Sequence, residues 1–262
     1  MIPDLYKRLR AIEVSPEFSE KDLMRPGLGP GADKFYFDAG RGAIRMILTA
    51  LVARLGYAGG VAELEDIHDF GCGYGRVTRW LKAEFPKAHI WTSDMDEGAQ
   101  QWCRDHLGST IPRDVYAKEA FDLVYLGSVF THLKASVSEA LLRQLIPSLK
   151  PMGVLLFTSQ GRWSYEDIKR DPERTNYRTK LLTSARLTEL ADQFEREGYA
   201  YQDYSSQHDY GISLIDQRWF ASRIGQSPDV TQIMMQEKAW GSHQDAYAYL
   251  KLPIAERRLG HM

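Results

Sequence analysis

The residues best suited to chemistry form a glycine-rich run, Gly71-Cys72-Gly73-Tyr74-Gly75, which follows the strand-like Asp66-Ile67-His68-Asp69-Phe70 and opens a helical stretch through Val77, Trp80, Leu81 and Phe85. A strand running straight into such a turn and then a helix puts backbone N–H groups and a helix N-terminus at the carboxyl edge of a sheet, where a ligand binds. The spacing is GxGxG. A dinucleotide fingerprint would need a third glycine where Arg76 stands. A phosphate-binding loop would need Lys and then Ser or Thr after its last glycine, so neither pyrophosphate motif is present. Asp94 closes the next strand-like run (88–93), where a carboxylate accepts both hydroxyls of a ribose; its presence implies an adenosyl group.

With these residues in place, Asp69-Phe70-Gly71-Cys72-Gly73-Tyr74-Gly75-Arg76 resembles the first motif of class I S-adenosylmethionine-dependent methyltransferases. Thr92-Ser93-Asp94-Met95 is similar to the acidic end of that family's second strand, and Phe121-Asp122-Leu123-Val124-Tyr125 to its fourth. Ser128-Val129-Phe130-Thr131-His132-Leu133 resembles the segment after the fourth strand in small-molecule and saccharide-modifying members. Leu149-Lys150-Pro151-Met152-Gly153 resembles their LKPGG turn, with Met152 in place of a glycine. The resemblance covers residues 60–160. Trp240-Gly241-Ser242-His243-Gln244-Asp245 is similar to less specific sequence in some of the same members.

The resemblance implies S-adenosyl-L-methionine as cofactor, held by Asp69, Gly71, Gly73, Gly75, Asp94, Met95 and Gly127. Asp69 and the loop carbonyls would lie near the methionyl ammonium, Asp94 would hold the ribose, and Met95 would lie on one face of the adenine. As a plain structural alternative, Asp69 receives loop N–H groups. A residue reading the adenine amino group cannot be aligned in 108–120, where Asp114 is the one candidate. His132 follows the fourth strand and is the candidate general base, its imidazole titrating near neutrality. Gln160, Tyr210 and His243 are the substrate-side candidates. The clusters His208-Asp209-Tyr210 and His243-Gln244-Asp245 also read as solvated loops. Trp163, Tyr165, Tyr177, Tyr199, Tyr201 and Tyr204 either fill a small core of their own or wall a flat acceptor. No zinc-ligand spacing is visible, and the resemblance implies no metal.

Positioning these residues requires strands alternating with helices. A 3.6-residue stripe from Ile44 through Ile47, Leu48, Leu51, Val52 and Leu55 predicts a helix closed by Gly56. A helix at 97–106, a strand at 121–126, a stripe through Val137, Leu141, Leu142, Leu145 and Ile146, and a buried strand at 153–158 follow. No strand is legible between Gly108 and Glu119. The alternation predicts an α/β fold, a doubly wound Rossmann-like, mostly parallel seven-stranded sheet with an antiparallel last strand. Residues 161–215 read as an insertion over the acceptor site, with a helix from Ser184 as its cap to Gly198 and a hairpin of 199–204 with 210–215. The final pair is 230–235 with 246–250. Residues 1–33, broken by Pro26, Gly27, Gly29, Pro30 and Gly31, read as an N-terminal arm on a single domain spanning 34–262.

Of the 262 residues, 33 are Lys or Arg and 35 Asp or Glu, a net charge of −2 that gives no sign of a polyanionic partner. Asn or Asp followed by Pro-Pro and an aromatic, which many DNA and amide N-methyltransferases carry after the fourth strand, is replaced by Gly127-Ser128-Val129-Phe130. A small molecule or saccharide is therefore expected as acceptor, methylated at oxygen with a small-molecule nitrogen as the alternative, and nucleic acid is not expected. Two cysteines exclude a disulfide framework, and no apolar run reaches the length of a membrane span. A soluble cytoplasmic protein is expected. An NAD-dependent oxidoreductase and a catalytically silent cofactor-binding scaffold are the competing classes.

Overall fold

Short apolar runs and amphipathic stretches alternate along the chain, and each pair of runs can bury its side chains only against a shared helix layer. The computed structural model describes residues 9, 11–25, 31–58, 63–170, 181–205 and 210–253. In chain order the elements are α1 (Ala32–Ala58), β1 (Asp66–Phe70), α2 (Thr78–Glu84), β2 (His89–Ser93), α3 (Glu97–Leu107), β3 (Phe121–Leu126), a 3-10 turn (Phe130–His132), α4 (Ala135–Ser148), β4 (Leu149–Ser159), α5 (Arg162–Lys169), α6 (Ser184–Glu197), β5 (Tyr199–Asp203), β6 (Gly211–Ile215), α7 (Gln217–Ile224), β7 (Val230–Trp240) and β8 (Gln244–Lys251).

The main sheet has the order β2-β1-β3-β4-β8-β7. β1 to β4 are parallel, and β8, the last strand, runs antiparallel to both β4 and β7. On one face Ile44 and Ile47 of α1 and Trp80 and Leu81 of α2 pack on Ile67, Leu123, Tyr125 and Leu156. On the other, Leu142 and Leu145 of α4 and Phe220 and Ile224 of α7 pack on Val124, Leu126, Leu155 and Phe157. The α/β fold is as expected, but the described sheet has six strands, not seven. In the stretch where no strand was legible, a bridge between Trp91 and Thr110 extends the sheet beyond β2. Beyond it Pro112 offers no ladder N–H, and the Asp114 carboxylate takes the Tyr116 N–H (2.9 Å) in a turn instead.

The first helix differs most from expectation. It begins at Ala32, so Gly40 and Gly42 lie in its interior, and it runs past Gly56, which is no cap. A Cβ on Gly40 would stand 2.3 Å from Trp80 Cδ1 and 2.6 Å from the Arg76 carbonyl, so glycine there lets α1 touch the start of α2. Val137 is exposed rather than part of the α4 stripe. The cap of α6 is Thr183, whose hydroxyl accepts the Arg186 N–H, and Ser184 is the first helical residue. Gly198 closes that helix in the left-handed conformation, as expected. α7 was not legible. The described residues of 161–215 hold two helices and the antiparallel β5–β6 pair, with an apolar cluster of their own that includes Tyr165, Leu190, Phe194, Tyr204 and Leu214. Among the described residues no helix is long and apolar enough to cross a membrane.

Candidate cofactor and active site

β1 ends at the carboxyl edge between β2 and β3, and the glycine loop is fixed there because the Gly71 and Cys72 N–H groups both donate to the Ser93 carbonyl of β2 (2.7 and 3.1 Å). All three loop glycines have positive φ: 79° at Gly71, 49° at Gly73 and 77° at Gly75. Their surroundings differ. A Cβ at Gly71 would strike Val129 and one at Gly75 would strike Leu107, whereas nothing lies within 4 Å of one at Gly73. Gly71 and Gly75 therefore serve loop packing, and Gly73 faces open space.

Asp94 at the end of β2 accepts the Gly73 N–H at Oδ2 (2.8 Å) and the Asp96 N–H at Oδ1 (3.0 Å). Each carboxylate oxygen keeps a lone pair for a ligand hydroxyl. Met95 is 99% exposed, touching almost nothing of its own chain. Asp96 caps α3 through the Gly98 and Ala99 N–H groups and takes the Tyr74 hydroxyl as well (3.0 Å).

Asp69 is buried beneath the loop and accepts the Thr78 hydroxyl (2.7 Å). Burial pushes its carboxyl up to about 7, with Asp94 raising it further and Thr78 and Arg76 pulling it back. The hydroxyl of Tyr125, on the same face of the neighbouring strand, is buried without a hydrogen-bond partner. Burial, then the charge of Asp69, raises this phenol. Arg76 extends over the Trp240 ring, 5.0 Å from its centroid. An orphaned hydroxyl, a buried carboxyl and a guanidinium around an open glycine loop fit an amino-acid head group carrying both charges, and Asp94 fits the ribose of the same molecule. Sequence reasoning passed over Tyr125 as one more apolar strand residue. The period of two that puts Leu123 and Tyr125 on one face was its signal.

Gly127 follows β3. A Cβ there would meet the Tyr125 hydroxyl at 2.6 Å and Trp240 Cη2 at 3.1 Å, so its physical requirement is packing against these two rings. Ser128 has φ of 64° and is pinned in a polar triangle. Its N–H donates to Thr158 Oγ1 (2.8 Å), the Thr158 hydroxyl donates to Gln244 Oε1 (2.6 Å), and Gln244 Nε2 donates to Ser128 Oγ (3.0 Å). His132 sits in the 3-10 turn beyond. Its Nδ1–H donates to the Gly211 carbonyl of β6 (2.7 Å). Tyr210 stacks on the imidazole with centroids 4.8 Å apart, and Tyr204 meets it edge-on. Burial lowers the His132 pKa, and the Gly211 contact partly offsets this. Burial and then Asp94 raise the Tyr210 phenol.

The structure thus joins His132 to Tyr210, and Tyr210 in turn feels the charge of Asp94. The other substrate-side candidates are engaged elsewhere. Gln160 is buried at the end of β4, its carbonyl accepting the Ile215 N–H (2.7 Å). His243 lies in the β7–β8 turn, its Nδ1–H on the Gly241 carbonyl (2.7 Å). Gln244 and Asp245 are buried, in contrast to the solvated loop expected, because β8 starts at Gln244 and pairs with β4 and β7. His208, Asp209 and Tyr177 lie outside the described residues. Of the other aromatics, Tyr165 and Tyr204 enter the insertion's core, Tyr199 packs against Trp219, and Trp163 lies beneath Lys238. At the opposite edge Glu65, Asp66 and Asp122 gather around Lys150, whose ammonium is 2.8 Å from Asp66 and 3.0 Å from Asp122.

A family model described as a methyltransferase domain matches residues 44–204 of the chain. Among curated proteins, the malonyl-[acyl-carrier protein] O-methyltransferase of Calditerrivibrio nitroreducens is 25% identical over 113 residues, 41% of this chain and 43% of that protein. The protein of the same name from Acetivibrio thermocellus is 26% identical over 126 residues, 44% and 43% of the two chains. The chain thus spans less than half the length of the curated relatives it matches. Among solved structures, an S-adenosylmethionine-dependent methyltransferase from Clostridium acetobutylicum superposes with a TM-score of 0.54 at 11% identity, over 81% of this chain and 92% of the other. This likeness is one of fold, and it agrees with the sheet order, the glycine loop and the acidic end of β2. By the family match over more than half its length, the chain belongs to the class I S-adenosylmethionine-dependent methyltransferases.

Proposed function

We propose that this chain transfers the methyl group of S-adenosylmethionine to an oxygen of a small-molecule acceptor in the cytoplasm. The observation that carries the reading is the fixed tautomer of His132. A carbonyl accepts only, so the 2.7 Å contact with Gly211 holds the proton on Nδ1 and leaves Nε2 as a proton acceptor. Burial keeps the ring neutral at pH 7. The cofactor, when bound, supplies an electrophilic methyl group on a sulfonium. The chain's own residues do the positioning. Asp94 would hold the ribose hydroxyls, Gly73 admits the cofactor to the loop backbone, and Asp69, Tyr125 and Arg76 would take the amino-acid end. Met95 would lie on the adenine. Ser128, locked by Thr158 and Gln244, fixes the turn that aims His132.

Nε2 would take the proton of an acceptor hydroxyl as the new bond to oxygen forms. A carboxylate acceptor would need no base, and the names of the curated relatives favour it as the second reading. A saccharide has support only from Tyr204 and Tyr210 around His132. The β-hairpin of the insertion supplies both Gly211 and Tyr210, which supports its role as a cover over the acceptor. The buried free thiols of Cys72 and Cys103 suit a reducing compartment. The test is turnover of His132→Ala with hydroxyl and carboxylic acid acceptors. A hydroxyl acceptor should lose about 10²–10⁴-fold, and a carboxylate acceptor should lose little. Full turnover of the variant with a hydroxyl acceptor would refute the base.

A further inference from the structure

A cavity of about 310 Å³ opens between α1 and the β7–β8 turn, at the same edge of the sheet as the glycine loop. Trp240 is its wall toward the site. One edge of the indole faces α1, where Nε1–H donates to the Ala39 carbonyl (2.7 Å). The opposite edge, at Cη2, abuts Gly127. The cavity therefore lies one indole width from the end of β3. Among the described residues, Arg41, Arg45 and Lys238 line it together with one carboxylate, Asp38. Arg41 pairs with Asp38 through Nη1, yet its Nε is buried with no hydrogen-bond partner. Arg45 donates to the Ala239 carbonyl (2.9 Å), and the Lys238 ammonium stands 3.8 Å over the Trp163 ring. Phe35 and Trp240 add apolar surface.

Among the described lining residues Arg41 and Lys238 share one carboxylate, Asp38, and the buried Nε–H of Arg41 is left over, which calls for an anion. The cofactor's own carboxylate has a separate cation in Arg76, on the glycine-loop side. We propose that this cavity binds a remote anionic group of the acceptor, a carboxylate or phosphate joined to an apolar stem that runs past Trp240. The proposal rests on the reading that the chain methylates a small molecule, and it restricts that molecule to an anionic one.

The test is calorimetry on the full chain saturated with S-adenosylhomocysteine, titrated with succinate and separately with inorganic phosphate. The wild type should bind one of them, and the arm that responds tells carboxylate from phosphate. The double variant Arg41→Gln, Lys238→Met should weaken that binding at least about tenfold, equal to about 1.4 kcal/mol. Ala39→Leu, which fills the cavity from α1, should abolish it with a melting temperature unchanged or raised. S-adenosylhomocysteine affinity should stay within about twofold in all variants. Binding of neither anion by the wild type, equal binding by the variants, or a parallel loss of S-adenosylhomocysteine affinity would overturn the proposal. Failure of the wild type to bind S-adenosylhomocysteine at all is a different result, which refutes the methyl-transfer reading itself.

Discussion

The Asp94 carboxylate accepts the Gly73 and Asp96 N–H groups, and each of its oxygens keeps a lone pair for the ribose hydroxyls that it is proposed to hold. Asp94→Ala should therefore weaken S-adenosylhomocysteine binding by about 1.5–3 kcal/mol, the cost of losing a charged acceptor. Isothermal titration checks it, and unchanged affinity in a folded variant would pass the role to another group. Asp96 is a poor substitute, being occupied by the α3 cap and Tyr74. His132 should give an activity limb that rises with pH through a value below the ordinary 6.5 of histidine, since burial lowers it. The pH–rate profile of His132→Ala should lack that limb. The spacing of Asp69, the loop glycines and Asp94 was legible because consecutive backbone positions impose it. Tyr125, Thr158 and Gln244 were not, because their roles depend on partners from strands distant in sequence.

At the scale of elements, α1 shows how packing overrides local preference. Glycine in an exposed helix interior is disfavoured by about 1 kcal/mol relative to alanine, so Gly→Ala ordinarily stabilises. At Gly40 the sign should reverse. The added methyl would lie 2.3 Å from Trp80 and 2.6 Å from a backbone oxygen, and the two helices must part. Urea denaturation should show Gly40→Ala destabilised by about 1–3 kcal/mol, the usual range for overpacking, and a stabilised variant would show that α1 is not seated on α2. These glycines also hid the first three turns of α1 from a periodicity reading. α7 was missed for another reason: it has only 8 residues. Its signals were present in Asp216, whose carboxylate accepts the Arg218 N–H, and in the apolar Trp219, Phe220 and Ile224. Met152 keeps a left-handed φ of 65° where the similar motif has glycine, so the turn geometry persisted without its usual residue.

Over the whole molecule, buried titrating groups set the response to acid. His68, in the centre of β1, donates or accepts at Ser93 through Nε2, and burial pushes its pKa down to about 4. The unfolded chain protonates this group below about 6.5 while the folded one does not, so its contribution is fully present above 6.5 and is lost as pH falls toward 4. Asp69 and Asp245, raised to about 7 and about 6, act in the opposite sense. Their penalty is present at neutral pH and is relieved as they protonate. Comparing wild type with His68→Gln isolates the histidine. Relative to the variant, the wild type should lose about 1.4 kcal/mol per pH unit between 6.5 and 4, measured by denaturation at several pH values. Parallel stability curves would place His68 in a wetter setting than the structure shows. At the centre of the molecule, the glycine loop, Asp94 and the Asp69–Tyr125–Arg76 group are proposed to form a single S-adenosylmethionine site. Titrating the chain with S-adenosylhomocysteine in a calorimeter, with NAD in a parallel cell, tests it most directly. Saturable one-to-one binding of S-adenosylhomocysteine, a melting temperature that rises with its concentration, and no heat from NAD are expected; no binding of S-adenosylhomocysteine, or binding of NAD in its place, would contradict the claim.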